Sequence, residues 1–129
     1  MDSTLADSLS FDEYNKLLES ISDNQDASVG LQELIDQGVD INHLIDDDCK
    51  LSPIHWASAY GNKKAVEILL GNGVDINLPD ESFMPATPME HAAKGGYVDL
   101  VRLFLEKGAK KTEWTKTFVG DNESIQALF

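Results

Sequence analysis

A 35-residue period constrains this chain more than any other feature of its sequence. Gly38-Val39-Asp40-Ile41-Asn42 returns as Gly73-Val74-Asp75-Ile76-Asn77, and in shortened form as Gly108-Ala109-Lys110, each glycine 35 residues after the last. The same step carries Ser52-Pro53-Ile54 onto Thr87-Pro88-Met89, and Val66, Leu69 and Leu70 onto Val101, Phe104 and Leu105. Turn-forming and apolar positions keep one spacing, the signature of a fold built from stacked supersecondary units.

Within a period the local signals agree. Ser52 or Thr87 followed by Pro53 or Pro88 places an N-cap before a proline at the first helical position, where its missing N–H costs nothing. A short helix is predicted from there, over residues 54–59 in one unit and 89–93 in the next. Gly61 and Gly95-Gly96 break the chain before a second helix, Lys63 to Gly71 and then Val98 to Lys107. Gly38, Gly73 and Gly108 stand where a helix C-terminus favours a left-handed residue. An extended segment with turn residues follows each glycine.

Residues 52–77, SPIHWASAYGNKKAVEILLGNGVDIN, resemble an ankyrin repeat along their whole length, and residues 87–110 resemble a second. The T-P-L-H-x-A signature of that family is matched as Ser52-Pro53-Ile54-His55-Trp56-Ala57; in the second copy Glu90 takes the histidine position and His91 the one beside it. The resemblance implies an all-α solenoid of helix-turn-helix units with projecting β-hairpin loops, about three repeats and a C-terminal half-repeat cap. The unit exceeds the usual length of about 33 residues, and the surplus falls in the hairpin. Asn42 to Ser52, Asn77 to Thr87 and Thr112 to Asn122 span equal steps, so three equally lengthened hairpins are expected.

One domain is expected over residues 1–129: a flexible terminus at 1–10, an N-terminal capping repeat at 11–42, repeats at 43–77 and 78–112, and a hairpin with a capping helix at 113–129. Ser10 can cap a helix from Phe11 to Ile21 with Phe11, Tyr14, Leu17, Leu18 and Ile21 on one face, and a second helix is expected from Ser28 to Gln37. Asp121 or Asn122 begins a last helix bearing Ile125, Leu128 and Phe129. Caps at both ends point to a self-contained stack and a monomer.

Charge and composition narrow the function. The net charge of −13 is unevenly spread: residues 1–50 hold 13 acidic residues against Lys16 and Lys50, a net of −11. This disfavours nucleic acid, which needs clustered Lys and Arg. The acidic end is either a solubilising cap or a surface that recruits a basic protein. No apolar run reaches the roughly 18 residues of a membrane span, and the first residues carry acids where a secretory leader carries basic charge. A single cysteine, Cys49, suits a reducing compartment, and a cytoplasmic location is expected. With one thiol and the histidines on separate units no metal site is expected, nor any cofactor. Ser52 and His55 are neighbours, but the serine serves as a cap and no oxyanion donors accompany it, so no enzyme is expected.

The resemblance implies that inner helices and hairpin tips line a concave binding groove. Carried onto this chain, that gives Trp56, Ala59 and Tyr60 in one repeat and His91 and Lys94 in the next. The tips add Ile45, Asp47, Asp48 and Leu51, then Phe83 and Met84, then Trp114 and Phe118. Large apolar side chains at loop tips suit a binding surface, or else they fold back and seal the adjacent hairpin. Ser52, Pro53, His55, Thr87, Pro88, Gly38, Gly73 and Gly108 are structural, with His55 bonding the Ser52 hydroxyl and nearby backbone. Two functions follow: an adaptor gripping a partner protein, or a dedicated inhibitor or immunity protein whose acidic region neutralises a basic toxin or nucleic-acid enzyme.

Overall fold

The computed structural model describes Leu5 and residues 8–129. Its helices are α1 (Phe11–Ile21), α2 (Val29–Asp36), α3 (Pro53–Ala59), α4 (Lys63–Gly71), α5 (Pro88–Gly95), α6 (Val98–Glu106), α7 (Thr115–Val119) and α8 (Glu123–Gln126), with a 3-10 turn at Gln25–Ser28 ahead of α2. Consecutive helices pair, and the pairs stack. α3 packs on α5 and α5 on α7 in an inner row, while α2 meets α4 and α6 meets α8 in an outer one.

Several helices start where the sequence supplies a cap. Ser10 and Glu13 form a reciprocal capping box on α1, as Thr87 and Glu90 do on α5. Asn62 and Asn122 cap the outer helices α4 and α8 through their side-chain oxygens. Gly38, Gly73 and Gly108 follow α2, α4 and α6 at φ of 99°, 89° and 94°, the left-handed geometry expected of them. The core runs unbroken along the stack, through Leu17 and Ile21, Leu31, Ile54, Leu69, Met89, Phe104 and Ile125. Burial of each helix's apolar stripe, not its own propensity, holds elements this short.

Three expectations change. The projecting segments hold no strands among the described residues; each is a loop closed by one backbone bond, Ile45 N–H to Leu51 O at 2.7 Å and Asp80 N–H to Ala86 O at 2.9 Å. Phe11, placed on the apolar face of α1, is mostly exposed at the helix start. The third hairpin does not form. The connections before α3 and α5 cover residues 37–52 and 72–87, but that before α7 covers only 107–114. Thr112 takes the capping place of Ser52 and Thr87, 25 rather than 35 residues after Thr87, and its N–H bonds the Thr115 hydroxyl as the Thr87 N–H bonds Glu90. Asn122 therefore corresponds to Asn62, the cap of an outer helix. The C-terminal unit holds two short helices, α7 and α8, without a projecting loop, not a hairpin and one helix.

The expected flexible terminus falls largely on residues 1–4, 6 and 7, outside those described. At Leu5 the chain is anchored: the side chain is buried, and the backbone N–H donates to Leu44 O at 2.7 Å.

Candidate functional site

The two long loops stand beside the inner helices they precede, and a cleft of about 490 Å³ opens in the angle. Six of the residues expected to meet a partner line it together: Leu51, Phe83, Met84, His91, Lys94 and Phe118. They come from both loops, α5 and α7, so the stack alone brings them together. Phe83, at 102% relative exposure, gains nothing from the fold in its present position.

The other expected contact residues lie elsewhere. Trp56 on α3 and Tyr60, which caps its C-terminus, have ring centroids 5.5 Å apart; Tyr60 is exposed and Trp56 packs partly against the core. The Trp56 indole N–H finds no acceptor among the described residues. Ala59 is half-buried beside them, Asp47 and Asp48 are exposed on the first loop, and Trp114 is half-buried at the start of α7. Ile45 is not at a tip at all. Its backbone closes the first loop and its side chain sinks fully into the core, where no partner can reach it.

Asp80, Ser82 and Ala86 complete the lining, and the sequence reading passed over them. The signal was present. One period earlier, the positions of Asp80 and His91 are held by Ile45 and Trp56, so an apolar pair in one repeat becomes a polar pair in the next. His91 Nε2–H donates to Asp80 Oδ2 at 2.8 Å. Burial pushes the Asp80 carboxyl up, but hydrogen bonds from the Ser82 hydroxyl, the Ser82 N–H and His91 outweigh it and hold the group below its ordinary range. Burial pulls His91 down, only partly offset by Asp80.

His55 lies behind the cleft wall, its ring centroid 5.4 Å from that of His91. Its Nδ1 accepts the Ser52 backbone N–H at 3.0 Å, not the hydroxyl as expected, and Nε2–H donates to Leu78 O at 2.6 Å. The ring thereby ties α3 to the foot of the second loop. Glu90 holds the same place in the next repeat with the opposite polarity. Its Oε1 accepts from the Thr87 N–H, while Oε2 accepts from the hydroxyls of Thr112 at 2.6 Å and Thr115 at 2.5 Å. An acceptor replaces a donor, and the next unit answers with hydroxyls instead of a carbonyl.

Desolvation drives the His55 pKa down to about 4. The unfolded chain thus binds a proton that the folded one refuses between about pH 6.5 and pH 4. Stability is whole above that window and falls as pH drops through it, by about 1.4 kcal/mol per pH unit for one such histidine. His91, also depressed, adds in the same direction. Urea titrations from pH 7 to pH 4.5 are expected to show this loss, and the His55 C2–H resonance should stay that of a neutral ring throughout. A ring that protonates near pH 6.5 contradicts the buried arrangement.

On the first loop, Asp46 Oδ1 accepts the Cys49 N–H at 2.8 Å and Oδ2 accepts the Tyr14 hydroxyl at 3.1 Å. Burial, helped by hydrogen bonding to Asp46, raises the Tyr14 pKa to about 12, and burial with the neighbouring Asp46 and Asp48 charges raises the Cys49 thiol to about 11. The thiolate is the reactive form, so Cys49 should react with a disulfide reagent at pH 8 on the order of a hundredfold more slowly in the folded protein than in urea. Equal rates in the two states would contradict the burial. Among the described residues no three His, Cys, Asp or Glu side chains converge as a metal cage, and no helix is long and apolar enough to cross a membrane.

The model of the ankyrin repeats, in three copies, matches residues 17–113. The chain belongs to the ankyrin-repeat family. Ankyrin segments of larger proteins align with it: 39% identity over 80 residues, 61% of the chain, with a palmitoyltransferase of Lachancea kluyveri. An E3 ubiquitin-protein ligase of Caenorhabditis elegans shares 33% over 97 residues, 74% of the chain. Transient receptor potential cation channel subfamily A member 1 of Homo sapiens shares 39% over 80 residues, again 61% of the chain. The matches cover only 11%, 3% and 6% of those proteins, so the likeness is to their ankyrin portions and not to their activities. Ankyrin repeats are in general non-catalytic modules for protein–protein interaction, and His55 and Glu90, the one matching and the other replacing the signature histidine, act here as joints of the stack.

Proposed function

We propose that this ankyrin-repeat protein is a non-catalytic adaptor that grips a partner protein through the cleft and the loop tips beside it. One observation carries the reading: Phe83 is held wholly in solvent at the mouth of a cleft floored by Leu51, Met84 and Phe118. Apolar anchors grouped around a concavity form the core of a typical interface. Tyr60 and the Trp56 edge extend this surface along α3. A cytoplasmic, monomeric protein with no cofactor, no nucleic acid and no membrane among its targets fits this reading.

A second reading rests on a different place. The groove between α1 and α2 is lined by Glu13, Glu19, Asp26 and Glu33, with Lys16 as the one cation among the described residues that line it, at the end of the molecule where the net charge of −11 is concentrated. That surface suits a dedicated inhibitor that neutralises a basic toxin or nucleic-acid enzyme. Electrostatic steering by such a surface falls steeply with ionic strength.

Affinity capture at low and high salt separates the two, with a parallel bait carrying Tyr60→Ala and Phe83→Ser. Both side chains are exposed, so the altered bait should keep wild-type stability within about 0.5 kcal/mol. Partners lost with the altered bait and indifferent to salt support the adaptor. A single basic protein lost with salt supports the inhibitor. Identical retention by both baits at both salts removes the cleft from the function.

A further inference from the structure

The cleft is bordered by two loops and by α7, which has no loop of its own. Each projecting loop stands beside the inner helix that follows it, the first beside α3 and the second beside α5. Beside α7 the connection is too short to project, and Phe118 of α7 lines the cleft instead. The first and second loops are joined by backbone: Glu81 N–H of the second donates to Lys50 O of the first at 3.2 Å. One period after Lys50 comes Pro85, whose carbonyl accepts from no donor among the described residues. The second loop therefore presents an unmatched edge, with exposed Phe83 and half-buried Met84 lining the same cleft as Phe118 of α7.

We infer that an extended segment of the partner protein occupies the place of the missing third loop, setting an apolar side chain against Met84 and Phe118 and a carboxylate toward Lys94. This deepens the adaptor reading and rests on it. Charge selects the occupant. Lys94 on the cleft rim meets no carboxylate within ion-pair distance among the described residues. The loop that fills the corresponding place beside α5 is of the same acidic and apolar kind, with Asp80 and Glu81 ahead of Phe83 and Met84. An added segment of this kind gains backbone hydrogen bonds from the loop edge and selectivity from the side-chain pocket.

The vacancy can be filled covalently. Inserting a copy of residues 77–86 between Lys111 and Thr112 restores the 35-residue spacing from Thr87 to its counterpart. The control carries ten Gly and Ser residues at the same point. The copied loop should raise the melting temperature above that of the control and slow amide exchange at Phe83 and Met84 by at least about tenfold. It should also abolish capture of the partner that the wild-type chain retains, while the control insert keeps that capture. Exchange no slower than in the control would overturn the inference, because the cleft then does not accept an extended segment. Capture that survives the copied loop would overturn it too and leave the adaptor reading standing. A wild-type dimer in sedimentation that the copied loop dissolves would assign the place to a second copy of this chain instead. If the wild-type chain captures nothing, the adaptor reading fails by itself, and the exchange comparison still decides whether the vacancy takes a chain.

Discussion

Asn62→Asp is expected to destabilise the protein more than Asn62→Ala, although aspartate is nearly the same shape and among the best helix caps. Asn62 is fully buried where the first helix pair meets the second. Its Oδ1 accepts the Ala65 N–H and caps α4, a role aspartate would keep. Its Nδ2 faces only acceptors: Ser22 O at 2.7 Å, Ser28 Oγ at 2.8 Å and Ser20 O at 3.3 Å. Ser28 has already committed its own hydroxyl proton to Ser20 O at 2.7 Å. A carboxylate there would press against these oxygens. A buried charge left without a partner costs about 3–5 kcal/mol, against about 1–3 kcal/mol in the alanine variant for the groups that lose a donor and about 1 kcal/mol for its lost cap. Much of a typical domain's 5–15 kcal/mol would be gone. Urea unfolding of both variants at pH 7 decides it, and an alanine variant weaker than the aspartate one would refute this account of the joint. Lowering the pH should relieve part of the aspartate penalty as the new carboxyl takes up a proton.

Glu90→Ala is expected to release the last helix pair from the stack. The Glu90 carboxylate is wholly buried and accepts three hydrogen bonds, one from the cap of its own helix and two from Thr112 and Thr115 at the start of the next unit. Alanine would strand the Thr87 N–H and the Thr115 hydroxyl and open a cavity between α5 and α7, about 3–4 kcal/mol in all. α7 is five residues long and α8 four, too short to persist without that contact. Hydrogen exchange should therefore rise across residues 113–129 well before it rises in α3 and α4. Glu90→Gln should cost less, about 1–2 kcal/mol, since the threonine hydroxyls can turn to accept from the new amide. Thr115→Val tests the pair from the other side: in the Glu90→Ala background its cost should shrink to that of the Thr112 N–H its hydroxyl also accepts, because the acceptor it served is gone. Additive costs, or uniform exchange along the chain, would refute the joint.

These two joints mark the division between what was legible in the sequence and what was not. The 35-residue period, the Ser-Pro and Thr-Pro starts and the glycines after each outer helix determine the helix pairs and their order, because caps, prolines and left-handed residues act within a turn of where they stand. Apolar spacing likewise assigns Val66, Leu69, Val101 and Phe104 to the core. The same counting misplaced the last unit. Thr112-Glu113-Trp114-Thr115 has no proline to announce a helix, and an unbroken period led instead to Asn122. α7 exists because Thr115 and Val119 are buried against α5 and Glu90 reaches across to hold it, and these contacts lie more than 20 residues apart in the chain.

The candidate site divides in the same way. Exposed aromatic residues in polar, turn-rich segments identified Phe83 and Tyr60, since nothing nearby could bury them. Ile45 looked equivalent and was not, because the bond from its N–H to Leu51 O turns its side chain inward, a decision of loop closure that no local pattern records. The cleft itself, with Leu51, His91 and Phe118 meeting across three units, is a product of stacking. What the sequence determined alone is the unit and its repetition, which depend on neighbours in the chain. What the tertiary structure decided is which side chains share a surface and where the stack leaves a place unfilled, because both depend on distances between units and on a loop missing from only one of them.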